Sequence, residues 1–202
     1  MISFYSRIKV FTMILLIGML SSFCASKNLL TIKYRLPPQP VEQKEMRVAL
    51  EVKDARESPQ IVTKSAKMAL KSFTGNFVLI VGQQNKNDKL VGAFGLSSTI
   101  REIFKHRLEN AGVVVAEEKD PSTPLVEIVL KEFKLDLQNR KWIITMNYQA
   151  DLIKQSGLVT GQTVNGSAER MRVVGAKDAE IVIGELVTDM VNKLNLNELL
   201  QF

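Results

Sequence analysis

Trp142, Ile144, Met146, Tyr148, Ala150 and Leu152 fall on alternate positions between Lys141 and Lys154. A period of two sustained over this length excludes a helix, whose faces repeat every 3.6 residues, and requires a long half-buried strand. Such a strand needs neighbours. Leu125 to Leu137 supplies one, with Val126, Ile128 and Leu130 on one face. After the turn Lys154-Gln155-Ser156-Gly157, Leu158 to Met171 is expected to return as another, weakened by Gly161 and Gly166. The three segments predict an antiparallel meander.

Two amphipathic helices are expected on one face of that sheet. Ile100, Ile103, Phe104 and Leu108 recur at helical spacing, opposite Arg101, Lys105 and Glu109. Thr99 and Glu102 have the spacing of a capping box, and Gly112 supplies the stop. The second helix runs from Asp178, as N-cap, to about Leu194, with Ala179, Ile183, Leu186, Val187, Met190 and Leu194 in one stripe. Arg47 to Lys53 alternates as a strand, Phe77 to Val81 and Val113 to Ala116 are short apolar strands, and Ile61 to Ser72 has some helical spacing. The fold class expected is α+β, a two-layer sandwich of a mainly antiparallel sheet with two amphipathic helices packed on one face.

Composition narrows the chemistry. The chain of 202 residues is 46% hydrophobic, which can bury a core without disulfides or metal. One Cys and one His leave little for a disulfide framework, a Cys/His metal site or a Ser/His/Asp triad. His106 is therefore expected as a surface or boundary side chain on its helix. Val91-Gly92-Ala93-Phe94-Gly95-Leu96 lacks the spacing of a phosphate-binding loop. No catalytic, cofactor-binding or metal-binding residue is assigned.

The first 23 residues read as an export signal: Arg7 and Lys9, an uncharged run from Val10 to Leu20, then Ser21 and Ser22. The run is too short to cross about 30 Å of hydrocarbon. The sole cysteine, Cys24, follows at once, in the position of a lipoprotein processing site, although Phe23 departs from the small residue usual before it. A Cys bearing two or three acyl chains, at about 0.8 kcal/mol per buried methylene, would hold the chain stably at a membrane. Removal of the signal takes away two positive charges and no negative one, so the formal charge falls from +6 to +4. That small excess is no argument for nucleic-acid binding. Residues 24–45, with Pro37, Pro38 and Pro40, are expected to form an extended tether on which Lys27, Lys33 and Arg35 solvate the spacer, contact with anionic headgroups being the alternative, and 46–202 a single α+β domain.

This signal, the Pro-containing spacer, a strand ending Val52-Lys53-Asp54-Ala55-Arg56, the Ser97/Ser98/Thr99 helix start, Ala111-Gly112, the meander and the last helix together resemble YajG-type lipoproteins of Gram-negative bacteria. Ala25 and Ser26 lack the Asp that marks inner-membrane retention in such lipoproteins. The resemblance implies architecture and an address, the outer membrane's inner leaflet facing the periplasm, and no transferable activity. The function expected is a lipid-anchored, non-enzymatic binding, structural or accessory role, with the membrane engaged through acylated Cys24 and an envelope protein as partner. Auxiliary lipoproteins of lipid-transporting ABC systems are an alternative with a similar design. A hydrolase using Asp54 and Glu57 is the enzymatic alternative, against which Asp54, Arg56 and Glu57 are turn-capping residues with an exposed ion pair. Trp142, Met146 and Tyr148 are assigned to the core, with a partly open sheet face for a partner or lipid tail as the sharper option.

Overall fold

The computed structural model describes residues 29–40, 46–83, 87–117 and 120–201. The meander is present as expected: β6 (Leu125–Gln138), β7 (Lys141–Lys154) and β8 (Gly157–Met171) pair antiparallel in sequence. The alternating side chains of β7 are fully buried, whereas Ile143, Thr145, Asn147 and Gln149 face outward and are half-buried.

The rest of the sheet differs from the expectation. β2 (Met46–Asp54) lies parallel to both β5 (Val113–Ala116) and β6, giving a mixed five-stranded sheet in the order β5-β2-β6-β7-β8. A second, three-stranded sheet in the order β1-β3-β4 is formed by β1 (Leu30–Arg35), β3 (Asn76–Gly82) and β4 (Lys89–Gly95). β1 is parallel to β3, and β3 antiparallel to β4.

β1 corrects the expected boundary of the tether at residue 45. Leu30, Ile32 and Tyr34 are core residues, so the fold begins at least sixteen positions (30 against 46) before the expected domain start. Lys33 lies 2.5 Å from Asp88 in an exposed ion pair, and the backbone of Arg35 is bound by a helix.

Among the described residues four helices complete the fold: α1 (Lys64–Ala69), α2 (Leu96–Asn110), α3 (Ala176–Lys193) and α4 (Leu196–Leu200). α2 touches β2 and β5 of the large sheet and β3 and β4 of the small one; α3 touches β7 and β8 on the one hand and β1 on the other. The two long helices therefore join two sheets, where a single covered sheet was expected. Phe104 of α2 meets Tyr148 edge-on at 5.2 Å, the Tyr148 hydroxyl donates to Met190 O at 2.9 Å, and Trp142 Nε1–H donates to Gly175 O at 3.0 Å. These bonds satisfy the polar ends of large buried rings.

The helix starts depart from the sequence expectation. β4 runs straight into α2, whose N-cap is Gly95 with no side-chain cap, so the Thr99/Glu102 capping box does not form. Thr99 is buried inside the first turn and its hydroxyl donates back to Gly95 O at 2.9 Å, the local alternative open to a helical Thr. At α3 the N-cap is Gly175. Asp178 sits inside the first turn and its carboxylate accepts from the N–H groups of Val173 and Val174. Gly112 ends the α2 segment at φ +87°, as a left-handed stop.

β1 is an edge strand of the small sheet, and α3 covers that edge. Thr31 N–H donates to Glu180 Oε1 at 2.9 Å, Arg35 N–H donates to Thr188 Oγ1 at 3.1 Å, and Asn192 Nδ2 donates to Arg35 O at 3.0 Å. Between them lies Gly184, where a Cβ would stand 2.9 Å from Lys33 O. Positions 180, 184, 188 and 192 are one helix stripe at i, i+4 spacing, so two side-chain acceptors, one amide donor and one missing side chain substitute for a neighbouring strand.

Candidate ligand site at the end of strand β2

The site is created by a mismatch of register. β2 pairs with β6 as far as Asp54 opposite Leu130, and the chain meets β6 again at Val62 opposite Leu135. Eight steps on one side (54 to 62) thus face five on the other (130 to 135), and the surplus stands away from the sheet as the loop Ala55 to Gln60. Pro59 lies in this loop and cannot donate to a ladder. On the facing strand, the β6–β7 register shifts between Leu130 and Glu132. The irregularity displaces Lys131 and brings Glu132 into register with Asn147 of β7. Loop and bulge enclose an open cavity of about 610 Å³.

Beyond Gln60 the chain is tied back to β6 by hydrogen bonds. Thr63 N-caps α1, and both Thr63 and Ser65 donate hydroxyl bonds to Asp136 Oδ1 of β6, the Ser65 bond at 2.8 Å. Burial pushes the Asp136 carboxyl up, but donors from Thr63, Gln138, Ser65 and the Leu137 N–H outweigh it and hold its pKa at about 2.

The near end carries the chemistry. Arg56 Nε and Nη2 donate to the two oxygens of Asp54, each at 2.8 Å, a two-point fork. The fork holds the Asp54 carboxyl below the usual carboxylate range. It also pins the guanidinium, whose side chain is only 7% exposed. The third nitrogen, Nη1, is buried with no acceptor, and Asn147 Oδ1 is buried with no donor, among the described residues. Arg56 and Asn147 line the same cavity, together with Glu57, Lys131, Glu132 and Lys134. An unpaired buried polar group costs about 1–3 kcal/mol, more when charged, so two on residues that line one cavity mark it for a polar occupant.

The structure brings together only part of the sequence-nominated set. Asp54 is committed to Arg56, and Glu57 is exposed, so the two carboxylates do not form an acid/base couple of the kind expected for the hydrolase alternative. His106 is half-buried on α2, with Glu109 at 3.5 Å; burial lowers its pKa against the opposing pull of Glu109 and Glu102. Gly92 lies within β4, and Gly95 ends that strand and N-caps α2. Trp142, Met146 and Tyr148 face α3 in the core, so the inner face of the meander is closed to a lipid tail. Cys24 lies outside the described residues. Asn147 and the Lys131 bulge were missed in the sequence; a polar residue at an outward position of an otherwise well-paired strand gave no local signal.

No family model and no curated protein matches the chain. Among solved structures it is similar to protein XCC0632 from Xanthomonas campestris, a DUF330 protein, at 15% identity over 81% of this chain and 91% of that one, with a TM-score of 0.49. It is also similar to rare lipoprotein B from Shewanella oneidensis, at 6% identity over 72% and 89% of the two chains and a TM-score of 0.39. A minor lipoprotein from Acinetobacter baumannii follows at 11% identity, 78% and 96% coverage and a TM-score of 0.35. Likenesses at this level transfer no site and no function.

Proposed function

We propose that the chain is a cell-envelope lipoprotein, anchored through acylated Cys24 and acting by binding rather than by catalysis. The single observation that carries the anchor is the placement of the sole cysteine directly behind a basic, then apolar, then small-residue segment. The early start of the fold sharpens the reading. Between Cys24 and Leu30 lie six peptide steps, which span at most roughly 20 Å at 3.3–3.6 Å each. An acylated chain would therefore hold its domain close to the bilayer surface. No helix among the described residues is long and apolar enough to cross a membrane, so the lipid is the anchor this reading relies on. The outer membrane's periplasmic leaflet is the proposed location, from the absence of Asp after Cys24.

The binding role rests on the open polar cavity beside Arg56, which offers fixed hydrogen-bonding groups without an acid/base couple. Metabolic labelling with palmitate tests the anchor: the wild type is expected to incorporate label and sediment with membranes, and Cys24→Ala to do neither. Equal labelling of the two proteins refutes it.

A further inference from the structure

We infer that the cavity between the Ala55 to Gln60 loop and strand β6 binds a small zwitterion, one anionic oxygen and one ammonium group, independently of the lipid anchor. The donor half is the Arg56 guanidinium. Asp54 occupies Nε and Nη2, which fixes the plane of the fork and leaves Nη1 as the nitrogen without an acceptor. Because the ion pair with Asp54 immobilises the group before any ligand arrives, little side-chain order remains to be lost on binding. Lys134 adds a second cation to the lining.

The acceptor half lies on the sheet. Asn147 Oδ1 is buried without a donor, and Glu132 is its direct register partner across the β6–β7 ladder. A carboxamide oxygen with a carboxylate beside it matches an ammonium. Lys131, the remaining cation, already donates to Gln149 Oε1 at 2.7 Å. A simple anion would satisfy Arg56 while leaving Asn147 unpaired next to Glu132, and a simple cation would do the reverse. Of these ions, only one carrying both charges pairs the two buried atoms at once. The volume of about 610 Å³ lies within the usual range for small-ligand sites. Amino acids and peptide ends carry this chemistry as carboxylate and ammonium, and phosphoethanolamine headgroups carry it as phosphate and ammonium.

The full chain, purified in detergent micelles, would be titrated calorimetrically with glycine, O-phosphoethanolamine, acetate and methylammonium. The expected result is saturable binding of at least one zwitterion, about tenfold or more tighter than either single-charge probe. Tighter glycine assigns the site to amino carboxylates; tighter O-phosphoethanolamine assigns it to headgroups. Arg56→Lys, which keeps the charge but loses the fork, is expected to weaken binding at least about tenfold with its melting temperature retained. If that variant melts early, Asn147→Leu and Lys134→Met carry the same test. Cys24→Ala should bind as the wild type does, which separates this site from the anchor. No saturation by either zwitterion, acetate binding as tightly as glycine, or unchanged binding in the cavity variants overturns the inference.

Discussion

Two seams of the molecule solve the same problem in opposite ways. Along β1, an edge strand meets α3, and its outward N–H and C=O groups find Glu180, Thr188 and Asn192 while Gly184 removes the side chain that would hold them apart. Along β6, the loop after β2 comes away and leaves Arg56 Nη1 and Asn147 Oδ1 unpaired. The sealed seam places its polar groups for stability. The open one retains buried polar groups that destabilise the fold, the signature of a place kept for a ligand.

That contrast can be broken from its strong side. Gly184→Val pushes branched atoms into the Lys33 backbone and should destabilise the protein by about 3 kcal/mol, at the upper end for overpacking; a urea melt with a midpoint equal to wild type would show that the seam tolerates separation. Asn192→Leu removes an acceptor for the Tyr34 hydroxyl and a donor to Arg35 O at once, for an expected loss of about 2 kcal/mol. The same melt checks it. A companion Thr188→Val variant, losing one bond, should cost about 1 kcal/mol.

At the open seam the effects are smaller. The folded-state pKa of Asp136 lies below its unfolded value, so its contribution is present above about pH 4 and is lost as pH falls toward about 2. Asp136→Asn should therefore flatten the acid limb of the stability profile between those limits, and an unchanged limb would contradict the role given to its four donors. Arg56→Met should change stability least, by under about 0.5 kcal/mol, since it leaves Asp54 partly exposed to water and removes an unsatisfied nitrogen together. A loss above 2 kcal/mol would make Arg56 a structural residue and blur the comparison.

How much of this was legible depended on sequence distance. The meander could be read because each β6–β8 neighbour is joined by a short turn and the period of two repeats in all but the last strand. β1 carries the same alternation through Leu30, Ile32 and Tyr34, but its partners are Phe77 to Gly82 and a helix about 150 positions away. Prolines just after it favoured a tether. The parallel pairing of β2 with β5 and β6 has no local marker, since periodicity reports burial and not strand direction. Thr99 shows the limit of motif spacing: the hydroxyl is where a cap would need it in sequence, one turn too late in space. At the site, Asp54 and Arg56 stood out as charged residues at a strand end, while Asn147, ninety-one residues after Arg56 (147 against 56), became meaningful only when the bulge at Lys131 brought Glu132 opposite it.

The position of β1 bears on mechanics as well. A pull transmitted along the chain from its N-terminal side enters the fold at Leu30, the first residue of a six-pair ladder with β3. Tension directed along that strand shears all six pairs together, and α3 grips the opposite edge at Thr31 and Arg35. The element nearest the proposed anchor is thus clamped on both edges, which suits it to resist load rather than to peel away.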